Sequence, residues 1–172
     1  MALPPSTEIF LHHGQYFFGD EKHVVKTLLG SCVSITMWHP QRKLGGMCHL
    51  VTPERIAAGP IEKLDGRYGH EAVLWLFQET SRRTTNPYEY EVHMFGGGRM
   101  FRRSVPGDTL DVGSRNIFYL SKLMGELGFK FKAKDVGQFG SRFMRFDINT
   151  GKISLQHNED ALEKSLDRVK LS

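Results

Sequence analysis

The sequence predicts an α+β fold, with two helices on one side of a largely antiparallel sheet. Three observations lead there. Segments with an apolar period of two outnumber those with a helical period, and after an N-terminal edge strand they run in the order β-β-α-β-α-β-β-β. The chain carries 18 glycines, which implies many tight turns and a β-rich body. Its 172 residues, 40% hydrophobic and 24% charged, suit one ordered domain with a real core.

The elements follow in order. Residues 1–7 read as a flexible leader, 8–157 as the domain body and 158–172 as a C-terminal tail. Residues 9–18 are apolar with polar interruptions and predict an edge strand. Residues 32–38 predict a strand with Val33, Ile35 and Met37 on one face and Cys32, Ser34 and Thr36 on the other. His39-Pro40-Gln41-Arg42 reads as a turn with proline at its second position, and 44–52 as the returning strand. Residues 53–66 form a loop. In 70–83, Ala72, Val73, Leu76, Phe77 and Thr80 share one helical face.

Residues 88–95 alternate as a strand that Gly96-Gly97-Gly98 breaks. Ser114 is placed to cap a second helix with Ile117, Leu120, Met124 and Leu127 on one stripe, stopped by Gly128. Phe129, Phe131 and Ala133 alternate along a further strand. Residues 143–148 and 152–157 predict a hairpin around Asn149-Thr150-Gly151. In the tail, Leu162, Leu166 and Val169 fall at helical spacing.

Bulk properties narrow the function. The net charge of +4 is spread along the chain, and its densest cluster is Arg99, Arg102 and Arg103. That favours a solvated loop over a nucleic-acid interface. No apolar stretch reaches the length of a membrane span, and the first residues lack the basic-then-apolar pattern of a signal peptide. A cytoplasmic protein is expected, and two cysteines in a reducing compartment are expected to be free thiols. The loop at Gly96 lacks the spacing of a phosphate cradle, and no CxxC or HxxxH pattern offers a metal site. No cofactor and no metal are expected.

Chemistry concentrates in Thr27-Leu28-Leu29-Gly30-Ser31-Cys32-Val33 and Gly45-Gly46-Met47-Cys48-His49. If residues 39–42 form the turn, Trp38 faces Lys43 and Cys32 lies opposite His49. Opposed residues hold their Cβ atoms about 4.5–5.5 Å apart, which suits a thiol–imidazole contact. A Gly45-Gly46 bulge would alter that count. Cys48 points to the other face and reads as a small buried hydrophobe. A thiol reacts as thiolate, and His49 is the base that can take its proton. Backbone N–H groups near 30–32 are placed to hold an oxyanion, and Thr27 is the nearest group to orient the imidazole. A structural Cys32 is the competing reading of the same pattern. His12, His13, His39, His70, His93 and His157 have no partner in the sequence pattern, and Ser114-Arg115-Asn116 reads as a helix start.

These two segments resemble the CheD family of chemoreceptor glutamine deamidases. The resemblance extends through Arg67-Tyr68, Gly96-Gly97-Gly98-Arg99-Met100-Phe101, Val112-Gly113-Ser114-Arg115-Asn116 and the segment 135–151 that ends in Asn149-Thr150-Gly151. It covers most of residues 8–156. It implies a single-domain three-layer α/β/β sandwich similar to the cytotoxic necrotizing factor catalytic domain. It implies a catalytic set of Thr27, Cys32 and His49 and hydrolysis of glutamine side chains in a chemoreceptor through a cysteine thioester. The implied partners are the receptor's cytoplasmic helical domain, as substrate, and a CheC-type phosphatase, with the protein a monomer. The alternative is a non-catalytic adaptor of the same fold that binds the phosphatase or a receptor.

Overall fold

A computed structural model describes residues 4–56, 59–101 and 111–158. Among them are nine strands and two α-helices. The strands are β1 (Thr7–Leu11), β2 (Tyr16–Asp20), β3 (His23–Leu29), β4 (Val33–His39), β5 (Leu44–Cys48), β6 (Glu91–Gly96), β7 (Phe131–Val136), β8 (Ser141–Asp147) and β9 (Ile153–Asn158). The helices are α1 (Gly69–Arg82) and α2 (Val112–Glu126). One sheet has the order β1-β3-β8-β9, the other β2-β5-β4-β6-β7.

The expected mixed α+β class is what the chain adopts. Pairing is antiparallel except for β1–β3 and β6–β7, which are parallel. The parallel β6–β7 pair needs a crossover, and α2 supplies it.

Two apolar clusters hold the layers together. Val33, Ile35, Met37, Cys48 and Leu50 of the five-stranded sheet bury against Ala72, Val73 and Leu76 of α1 and Leu120 and Met124 of α2. The opposite face of that sheet sends Cys32, Met47 and Phe95 against Leu11, Val25, Leu29, Met144 and Phe146 of the four-stranded sheet. Helices, five-stranded sheet and four-stranded sheet thus stack in that order. Each fully buried aliphatic or aromatic side chain contributes about 1.5–3 kcal/mol relative to exposure.

The glycine pair on β5 is a packing device. A Cβ on Gly46 would come within 2.4 Å of Phe18 and 2.8 Å of Leu76, and one on Gly45 within 3.0 Å of Phe146. The β4–β5 ladder runs unbroken past both glycines, so no bulge forms there. Their missing side chains let rings from both neighbouring layers reach the strand.

Several elements differ from expectation. The predicted edge strand over 9–18 is two strands, β1 and β2, separated by a turn at Gly14 with φ of 77°. β1 already starts at Thr7, inside the expected leader. β3 was not expected, because its buried positions do not alternate strictly. The strand predicted over 88–95 begins at Glu91, after a short 3-10 turn, Pro87–Glu89, capped by Asn86. Asp111, not Ser114, caps α2, accepting from the Ser114 N–H at 2.8 Å. α1 has no side-chain cap. Thr52 and Pro53 carbonyls accept from Gly69 and His70 instead, at 2.9 and 3.0 Å. The expected C-terminal hairpin is present as β8 and β9. The tail with Leu162, Leu166 and Val169 lies outside the described residues, as do Arg102 and Arg103.

Candidate active site

Three strands bring Thr27, Cys32 and His49 to the seam between the sheets. Thr27 lies on β3 opposite Leu11 of β1. Cys32 stands just before β4, and His49 just after β5. All three are buried, with Thr27 at 0%, His49 at 1% and Cys32 at 6% exposure.

The hairpin register differs from expectation by two residues. His39 pairs with Leu44, Trp38 with Gly45 and Val33 with Leu50, so Ser34 is opposite His49 and Cys32 is its diagonal neighbour. The connection is residues 40–43 because His39 stays in the strand, where its ring packs edge-on against Tyr90 at 5.1 Å. Lys43 then closes the turn with φ of 49° and donates its N–H to the His39 carbonyl at 2.9 Å. A shift of two residues preserves the face of every side chain. Cys32 and His49 therefore still point the same way, and their donor atoms lie within 4.8 Å of each other.

The backbone of His49 is pinned on both sides by the β1–β2 turn. Its N–H donates to Gln15 O at 2.9 Å, and its carbonyl accepts from Gly14 N at 2.8 Å. Its ring is set by Thr27. The Thr27 hydroxyl has one proton and donates it to Leu11 O at 2.8 Å. It must therefore accept in its 2.6 Å contact with His49 Nδ1. Nδ1 thus carries the imidazole hydrogen, and Nε2 keeps a free lone pair. That Nε2 is buried and has no hydrogen-bond partner among the described residues.

Burial keeps both reactive groups neutral at rest. It pushes the Cys32 thiol above its ordinary value. It also pulls His49 down to about 4, aided by repulsion from His13 and His12 and opposed by the Leu11 carbonyl. The resting pair is thiol and imidazole.

The segment that carries Cys32 is held by three successive carbonyl bonds. Gly30 O accepts from Gly98 N at 2.9 Å and Cys32 O from Gly97 N at 2.8 Å. Between them, Ser31 O accepts from Asn116 Nδ2 at 3.2 Å, and the same amide donates to Val51 O at 2.9 Å. A Cβ on Gly96, whose φ is 102°, would lie 2.3 Å from Cys32 O. The triple glycine is thus a backbone clamp on the Cys32 segment, consistent with a site-shaping turn and not a phosphate cradle.

Sequence reasoning missed two residues here. Asn116 is fully buried and lies four and eight residues before Leu120 and Met124, so it was legible as a polar residue on an apolar stripe. His13 has no such signal. The β1–β2 turn places its ring 4.9 Å from that of His49. Cys48 behaves as expected. It faces the helices, gives its thiol hydrogen to Ile35 O at 3.8 Å, and burial pushes it up to about 12. The other histidines lie elsewhere: His93 meets Thr36, His70 meets Tyr119 and His157 meets Asp135.

A buried thiol with an imidazole donor atom within 4.8 Å, the imidazole itself bonded to a hydroxyl, is an arrangement shared with cysteine–histidine acyl-transfer proteins. The family model for CheD chemotactic sensory transduction matches residues 52–157, a segment that begins just after His49. Relatives align across the site as well. The chain is 39% identical over 160 residues to "Probable chemoreceptor glutamine deamidase CheD 1" of Chromobacterium violaceum, covering 93% of this chain and 82% of that protein. It is 37% identical over 163 residues to "Probable chemoreceptor glutamine deamidase CheD 3" of Dechloromonas aromatica, covering 94% and 95%. A CheD of the same description from Pseudomonas fluorescens is 39% identical over 169 residues, covering 93% of each. The chain belongs to the CheD family.

Proposed function

We propose that this protein is a chemoreceptor glutamine deamidase in chemotaxis signalling, with Cys32 as nucleophile, His49 as general base and acid, and Thr27 as the residue that orients His49. The observation that carries this reading is a buried imidazole, its Nε2 unpartnered among the described residues, with a donor atom within 4.8 Å of the Cys32 thiol. Family membership and the names of the relatives support the substrate.

The steps balance as an acyl transfer. Cys32 Sγ attacks the side-chain carboxamide carbon as His49 Nε2 takes the thiol proton. The tetrahedral intermediate collapses, the C–N bond breaks, and the imidazolium gives its proton to the leaving nitrogen, releasing ammonia. A water then gives a proton to His49 and attacks the thioester. Glutamate leaves and the thiol recovers its proton. The N–H groups of Ser31 and Cys32, fixed in direction by the pinned carbonyls of 30–32, are the proposed oxyanion donors. Preorganised donors of this kind contribute about 10²–10³ in rate.

The finer parts of the reading go with it. The layered fold is proposed to be of the same type as the cytotoxic necrotizing factor catalytic domain. Residues 8–157 are proposed as the deamidase domain, with 1–7 as leader and 158–172 as tail. The protein is proposed to be a cytoplasmic monomer that also binds a CheC-type phosphatase. Among the described residues no helix is long and apolar enough to cross a membrane.

The test is incubation with receptor cytoplasmic fragments and mass spectrometry for glutamine-to-glutamate conversion, with Cys32→Ala as control. Conversion that Cys32→Ala abolishes supports the enzyme. Binding without conversion on any receptor supports the adaptor alternative instead.

A further inference from the structure

We infer that His13, Cys32 and His49 form a binding site for a thiophilic divalent metal ion of the zinc class, and that the bound ion caps the nucleophile. The ligand atoms of these three side chains all lie within 4.8 Å of one another. A tetrahedral zinc holds nitrogen and sulfur at about 2.0–2.3 Å, which puts neighbouring donors about 3.3–3.8 Å apart. His13 is exposed on the β1–β2 turn, so its ring can close the remaining gap without disturbing the core.

A second observation points to a ligand. His49 Nε2 is buried and has no hydrogen-bond partner among the described residues, in a residue whose ligand atom lies within 4.8 Å of those of His13 and Cys32. Its lone pair is available because Nδ1–H is committed to Thr27, which in turn donates to Leu11 O. Metal-ligating histidines are held in this way through the nitrogen that does not bind metal.

The donor set selects the metal. It contains one sulfur, two imidazoles and no carboxylate, which suits zinc and disfavours the oxygen-seeking magnesium and calcium. On binding, the Sγ–H bond of Cys32 breaks, an S–Zn bond forms and the proton passes to solvent. No oxidant or reductant is needed. A fourth ligand from solvent would complete the tetrahedral shell. Cys48 takes no part, since it faces the helices. Metal binding stands apart from the deamidase reading, whereas inhibition of turnover rests on it.

The experiment titrates metal-free protein with zinc alone against a chromogenic chelator, and with cobalt(II) to read the thiolate-to-cobalt charge-transfer band. The expected result is one ion per chain, a charge-transfer band lost in Cys32→Ala, and affinity reduced about ten-fold or more in His13→Ala. Cys48→Ala should bind as the parent does. Absence of stoichiometric binding overturns the inference, as does undiminished affinity in His13→Ala. A parallel deamidation assay separates the claims. Zinc binding with no glutamine conversion in metal-free protein would sink the deamidase reading alone. Conversion that saturating zinc does not slow would sink the capping role.

Discussion

The hydroxyl of Thr27 decides which nitrogen of His49 faces the thiol. It spends its proton on Leu11 O and so demands one from Nδ1. Thr27→Val keeps the shape and removes the acceptor, freeing the ring to take the other tautomer. Steady-state kinetics should show kcat lower by about 10–100-fold with KM little changed, and Thr27→Ser should restore most of it. Burial of the imidazole also links folding to pH. In metal-free protein burial holds His49 down at about 4, against 6.5 for its ordinary value. Between those values the unfolded chain binds more protons, so stability falls as pH drops from 6.5 toward 4. The loss is about 3 kcal/mol at most. Denaturant titrations across that window should show the slope, and His49→Gln should flatten it.

At the scale of elements, α2 holds the Cys32 segment through a polar residue on its apolar stripe. Asn116 joins Ser31 O to Val51 O, tying the segment before β4 to the chain beyond β5. Asn116→Ala would leave both part-buried carbonyls without that donor, at a cost of about 1 kcal/mol. It should also lower kcat for deamidation more than it raises KM, because the N–H donors on the same segment lose their fixed direction. Thermal melts and kinetics on one preparation would check both. Legibility differs among elements for physical reasons. α1 and the β8–β9 hairpin were readable because period and turn residues agree. β3 was not, because it pairs in parallel with β1 and buries Val24, Val25, Thr27 and Leu29 without strict alternation. The hairpin register was misread by two residues because Lys43, not a typical turn residue, adopts the left-handed conformation.

In the whole molecule, the site occupies the seam between two sheets, so the joint between them matters as much as either core. Arg142 of β8 is buried and donates to the carbonyls of Asp135 and Gly137 and to the Asp135 carboxylate, crossing from one sheet to the other. Arg142→Met should destabilise the fold by about 2 kcal/mol, seen as a lower denaturant midpoint. That is less than for a fully buried pair, because Asp135 is partly exposed. The convergence of Thr27, Cys32 and His49 was legible because alternation puts Cys32 and His49 on one face and Thr27 was the nearest polar candidate, a choice the family resemblance also implied. His13 was not, since a turn distant in sequence brings it to the site; the glycine loop was legible as a turn shaping the site, but not as a set of N–H donors to the carbonyls of Gly30 and Cys32. The measurement that bears most directly on the central claim is mass spectrometry of receptor cytoplasmic fragments after incubation with the protein. Glutamine-to-glutamate conversion is predicted, absent with Cys32→Ala and retained with Cys48→Ala. Conversion that persists in Cys32→Ala would contradict the account.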